Sequence, residues 1–234
     1  MKADYTPGAA SPCTVFEPGQ ISGSLSDHME RFRFPRHEFP VESMRRREIE
    51  IDRAYNSRSV FIVYFSPHDY HTLIATARII IRERPGEKLP IEFGEVVSIS
   101  ENSSTAPVGP LKVGMPIRVS AGPENLPACE IGGLRAAEVD HTSGITLRLR
   151  YHALSTVLNT CFEQCIMRHI HVAFLTCIGT PNVLGIYRDR FKFKEIAEIN
   201  YGSGIQWKAL WRYAGSDTGT AIPAITGNKG NYNK

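Results

Sequence analysis

Apolar and polar positions fall into blocks with different periods. Ser59–Ser66 (SVFIVYFS) and Thr72–Arg82 (TLIATARIIIR) are β-branched and aromatic with almost no polar interruption. Runs of this length and composition predict strands, and Pro67–His71 between them predicts the turn of a hairpin. Cys129–Val139 (CEIGGLRAAEV) reads as a strand broken by two glycines, and a glycine inside a strand marks a bulge or a close backbone approach to a ligand. From Tyr151 to His169 the pairs Ala153/Leu154, Val157/Leu158, Cys161/Phe162 and Cys165/Ile166 recur at near-helical spacing. They predict one long amphipathic helix. His171–Cys177 predicts a buried strand, Pro181 opens a short helix that runs into Phe191–Asn200, and Ile205–Tyr213 predicts a closing strand.

Between these blocks the pattern lapses. Residues 83–127 hold seven prolines and only one short acidic-apolar run, which predicts a long irregular connection. Residues 1–26 and 214–234 are rich in small and polar residues without a period and are expected to be disordered tails around one domain, 27–213. Strands first, then a strand–helix–strand unit, predict an α/β fold: a mixed central sheet with helices on both faces and a parallel pair in its second half.

Composition narrows the function classes. The net charge of +3 is close to balance and gives no footprint for nucleic acid. The five cysteines lack paired CxxC spacing, which points to reduced thiols in a cytoplasmic protein and to no metal. No apolar run approaches the ~18 residues of a membrane span, and there is no apolar leader. There is no GxSxG and no P-loop. Residues 27–58 carry eight arginines interleaved with acids, either a solvated charged face or a cap for a polar substrate and an acidic partner.

The ordered segments EIDRAYNSRSV (Glu50–Val60), LIATARIII (Leu73–Ile81) followed by LPIE (Leu89–Glu92), and CEIGGLRA (Cys129–Ala136) resemble one branch of the GNAT acyltransferase superfamily. That branch comprises the acyl-homoserine-lactone (autoinducer) synthases and the related N-acyl amino acid synthases. The similarity spans roughly residues 31–193. Several positions differ from the branch pattern. Gly132 and Gly133 stand where Ser and Arg are usual. HTSGIT (His141–Thr146) keeps one glycine of the usual coenzyme A loop, and YRDRFKF replaces the usual end of the short helix.

The resemblance implies a GNAT-like fold and transfer of a fatty acyl group from acyl carrier protein, or acyl-CoA, to the amine of an amino acid or amino-acid-derived substrate. It implies no bound cofactor. It puts Glu130 at the reacting centre as the catalytic carboxylate and Tyr187 near the thiolate leaving group. Glu50 and Asp52 would bind the amine, and Arg33 and Arg78 would orient them or the substrate's carboxylate. Gly132, Gly133, Leu134, Arg135, Ala136, Ser143 and Gly144 would hold the pantetheine arm and its phosphate. Two other readings stay open: an acetyl-CoA-dependent N-acetyltransferase, and a GNAT-fold binding protein without activity.

Overall fold

The computed structural model describes residues 12–21, 23–69, 71–84, 86–119, 127–140, 144–202 and 205–215. Its frame is an eight-stranded sheet: β1 (Cys13–Phe16), β2 (Ser59–Phe65), β3 (Leu73–Ile81), β4 (Glu95–Ile99), β5 (Ala128–Ala136), β6 (Val172–Ile178), β7 (Lys194–Asn200) and β8 (Gln206–Tyr213). Spatial order is β1-β2-β3-β5-β6-β8-β7-β4. Only β5 and β6 run parallel, joined by the long helix; every other neighbour is antiparallel.

Both faces are covered, which explains why β2 and β3 read as unbroken apolar runs. Val60, Ile62 and Tyr64 of β2 join a core under α3 (Leu147–Met167). Phe61, Val63 and Phe65, on the opposite face, pack with Met29 and Leu25 of α1 (Gly23–Arg33). The helix predicted from Tyr151 starts earlier, at Leu147, with the Thr146 hydroxyl capping the Leu149 amide. Pro181–Gly185 forms α4, continued by a π-helical turn at Ile186–Arg190. No helix among the described residues is long and apolar enough to cross a membrane.

Two expectations are corrected. Residues 13–26, expected to belong to a tail, carry β1 and the start of α1, because Cys13–Phe16 finds the free edge of β2. Residues 1–11 and 216–234 lie outside the described residues. The connection 83–127 is not wholly irregular: β4 lies within it and pairs with β7 at the far edge of the sheet. The segment Glu50–Asp52 is helical, in α2 (Glu42–Arg53), so its two acids diverge. Helical spacing puts Arg45, Ile49 and Asp52 on the inward face, where Arg45 is buried and donates to the Phe34 carbonyl at 2.6 Å. Glu50 is left exposed.

Candidate active site

The parallel pair is joined only over Ala128↔Val172 to Ile131↔Leu175. Beyond that point β5 stays paired with β3 as far as Ala136, and β6 stays paired with β8 as far as Ile178. The two strands part, and the inner edges of both lie open at the middle of the sheet. On the α3 side the gap opens into a cleft of ≈ 530 Å³, walled by Leu134–Ala136, the first half of α3 and the turn from Val183 to Phe191. Leu154, Leu158 and Val183 make its floor apolar, and Arg150 and Arg190 bring positive charge. Neither arginine has a carboxylate partner among the described residues. Arg135 does: it is held by Glu38 through a pair of hydrogen bonds.

On the other face, at the root of the gap, stands Glu130. Register puts it beside Ile80 and Phe174, and it is 2% exposed. The Ile91 amide donates to its Oε2 at 2.6 Å, and the Thr176 hydroxyl to its Oε1 at 3.4 Å. Burial dominates its titration and lifts it to about 7 against these bonds and the pull of Arg78. A carboxyl so placed is half ionised near neutrality, as a general base requires.

Arg78 and Arg33 are brought together by one carboxylate. Asp52 receives Arg33 Nη1 at 2.8 Å and pairs with Arg78 Nη2 at 2.6 Å. All three side chains are largely buried. Burial and the neighbouring Arg33 charge bring Arg78 down to about 10, so it stays cationic at neutral pH. The cluster therefore carries one positive charge in excess. Asp52 is engaged on both sides, so it holds the two arginines instead of offering a free carboxylate to an amine. Glu50 is not brought into the site.

The paired glycines answer to this cluster. β5 carries one extra residue opposite β3 between Thr76 and Arg78, a bulge with Gly133 at φ 58°. A Cβ on Gly133 would lie 2.5 Å from Arg33 Nη2, so the close approach is made by an arginine of the protein itself. Gly132 sits under Arg78 Nε, which is buried without a partner among the described residues. Neither glycine lines the cleft. Gly133→Ala combines a left-handed backbone cost of about 1–2 kcal/mol with displacement of Arg33. Its destabilisation in urea is expected to be smaller in an Arg33→Ala background than in the native one.

Of the remaining expected residues, Leu134, Arg135, Ala136 and Tyr187 line the cleft. Tyr187 packs edge-on against Phe193, and burial raises its phenol. Gly144 (φ 74°) directly precedes Ile145, which bridges to Asp140 just before α3, and Ser143 lies outside the described residues. Sequence reasoning missed Tyr55, Thr176 and Tyr201. Tyr55 lies between the Arg58 and Arg78 guanidinium groups. Tyr201, in the β7–β8 turn, packs edge-on to Trp207, and burial raises its phenol. Thr176 stands in a strand-like run and Tyr201 in a glycine-rich turn, so neither carries a local mark of chemistry.

Solved structures share this architecture. FeeM, an N-acyl amino acid synthase from uncultured soil microbes, aligns over 86% of this chain and 90% of its own at 12% identity, with a TM-score of 0.52. TofI in an apo form aligns over 85% and 89% at 13% identity, with a TM-score of 0.49. NAA60 of Arabidopsis thaliana in complex with acetyl-CoA aligns over 86% and 97% at 14% identity, with a TM-score of 0.48. The chain has the α/β, GNAT-like acyltransferase fold expected from its sequence. No protein-family model matches the sequence, and no curated protein matches it.

Proposed function

We propose that this protein is an N-acyltransferase that moves a fatty acyl group from acyl carrier protein, or from acyl-CoA, to the amine of an amino acid or amino-acid-derived substrate. The observation that carries this reading is the parting of β5 and β6 beyond Ile131 and Leu175, with an apolar-floored cleft on one side and the buried Glu130 on the other. A pantetheine arm laid along the open edge of β5 pairs its amides with free backbone groups, as an added strand would. Its thioester then lies at the root of the gap. The acceptor amine approaches from the opposite face, so donor and acceptor meet through the sheet in a fixed geometry.

Glu130 takes the proton that the amine loses as it attacks. Tyr187, kept protonated by burial, is the donor to the departing thiolate. Arg33 and Arg78, with one positive charge beyond what Asp52 neutralises, suit the carboxylate of an amino-acid acceptor. Arg150 and Arg190 are placed for a phosphate at the cleft. One phosphate on a carrier-borne arm fits two arginines better than a full coenzyme A does, which favours the carrier protein as donor.

The deciding assay is free-thiol release with long-chain acyl carrier protein, acyl-CoA and acetyl-CoA, each offered with pooled amino acids. Amine-dependent release from the long-chain carrier is expected. Arg150→Ala should raise the donor KM by about tenfold, the loss of one charge-assisted contact of roughly 1.4 kcal/mol, and leave the acceptor KM unchanged. Release from acetyl-CoA alone would make the protein an acetyltransferase, and carrier binding without release would make it a binding protein.

A further inference from the structure

Two elements outside β5 hold the carboxylate of Glu130: the Ile91 amide on Oε2 at 2.6 Å and the Thr176 hydroxyl on Oε1 at 3.4 Å. Ile91 belongs to the turn Pro90–Phe93, capped by Leu89 and packed against β6. Pro90 has no N–H, so the amides left over at the start of this turn are those of Leu89 and Ile91. Both residues are fully buried, so neither amide can turn to water. Glu130 takes the second amide, and Glu92 takes the first at 2.8 Å.

Glu92 is itself anchored. Its Oε2 is paired with Arg82, and its Oε1 receives the Val119 amide at 3.3 Å. Arg82 directly follows β3, and its own amide donates to the Ala128 carbonyl, at the start of β5, at 3.0 Å. The contacts therefore close a ring. β5 holds Arg82, Arg82 holds Glu92, Glu92 holds the turn, and the turn sets the Ile91 amide on Glu130, two residues along β5 from Ala128. The Arg82 and Glu92 side chains are largely buried, so salt screens their attraction little. With Oε2 committed, Oε1 is the oxygen left to react. It faces Thr176, the first residue of β6 beyond the joined stretch, and so looks to the root of the gap. Its bond there is long and is readily given up to a substrate.

We propose that Glu92 is a positioning residue for the transfer: through the 89–93 turn it keeps the Ile91 amide on Glu130 Oε2 and leaves Oε1 as the oxygen that takes the proton. This rests on the acyltransferase reading. In that step the amine nitrogen bonds to the thioester carbon, its N–H breaks with the proton going to Oε1, and the C–S bond breaks with the thiolate protonated by Tyr187. The other charged and titratable groups around Glu130 do not hold it. Arg78, from β3, is bound to Asp52 and Asn56. Tyr55, beyond α2, and Tyr201, in the β7–β8 turn, make no hydrogen bond to it among the described residues. The Cys129 thiol, next along β5, faces Cys165 of α3 at 3.5 Å.

The test follows the infrared carboxyl band of Glu130 against pH in the full chain, assigned with Glu130→Gln, beside the pH profile of thiol release. An amide donated to the ionised form keeps the titration low, and this outweighs the opposing charge of Glu92. Replacing the Ile91 N–H by an ester oxygen, with the matching α-hydroxy acid, should raise the midpoint from about 7 by about one to two units. Glu92→Ala should raise it by about one unit. Glu92→Gln, which keeps an accepting oxygen and loses the charge, should leave it unchanged or lower. The rising limb of thiol release should move with the band in each case. Loss of stability alone would lower activity at every pH and leave the midpoint in place. A midpoint unmoved in either the Ile91 ester or Glu92→Ala, or raised equally in Glu92→Gln, would overturn the proposal. Should Glu92→Ala fail to fold, an ester at Leu89, which removes only the amide that Glu92 holds, decides by the same criterion. If the native protein releases no thiol from any donor while the band shifts as expected, the acyltransferase reading fails and the hold of Glu92 on Glu130 stands.

Discussion

Under the proposed function, Glu130→Gln is expected to lower amine-dependent thiol release by about 10²- to 10⁴-fold, the span lost with a positioned general base. In the native protein the rate of the proposed transfer is expected to rise as pH passes through about 7, where Glu130 ionises, and this limb to disappear in the variant. Stability moves the other way. Between the ordinary carboxyl value of 4.5 and about 7 the folded chain keeps a proton that the unfolded chain has lost. Stability therefore falls as pH rises across that window and levels off above it. Glu130→Gln, which has no charge to bury, should exceed the native protein by on the order of 3 kcal/mol at pH 8 and match it near pH 4. Urea midpoints at several pH values read this directly, and parallel curves for the two proteins would remove the buried base from the account.

The second large effect is structural. Asp52→Ala leaves Arg33 and Arg78 buried side by side with no carboxylate between them. Breaking a buried pair in this way costs about 3–5 kcal/mol, because the stranded charge has lost both water and partner. Glu50→Ala, two residues away on the exposed side of α2, should stay within about 0.5 kcal/mol. Equal costs at the two positions would show that the arginines find other partners. Asp52→Asn should fall between, since it keeps an accepting oxygen and loses the charge.

The contrast between these neighbours marks where sequence reasoning stopped. Strands buried on both faces, such as β2 and β3, announce themselves by composition alone, as does the stripe of α3, and their order carries the fold. The acidic pair at 50 and 52 has strand spacing on paper, and only the helix around it decides that Asp52 turns inward and Glu50 outward. Glu130 was singled out by the resemblance, whose strand opens with a glutamate at this place. Thr176 was not, because what matters about it is its contact with Glu130 across the sheet. Within the tail expected over residues 1–26, Cys13–Phe16 departs from the expectation for a similar reason: it is too short to show a period, and it is a strand only because β2 offers an edge. The double glycine was expected to mark a bulge or a close approach to a ligand; the fold has the bulge, and the group beside Gly133 is Arg33.

The strand order has a consequence for how the chain is made. β8 lies inside the sheet, between β6 and β7, although its residues 206–213 are the last of the described strands to leave the ribosome. Until they emerge, β6 presents an unpaired apolar edge, and β4 waits some hundred residues for β7. Contacts this distant in sequence slow folding. The nascent chain therefore passes through a half-built stage in which the walls of the future site are already synthesised while the sheet beside them is open. Chains halted within β8 should be targets for chaperones and for aggregation, and the site becomes rigid only when the final strand is threaded home.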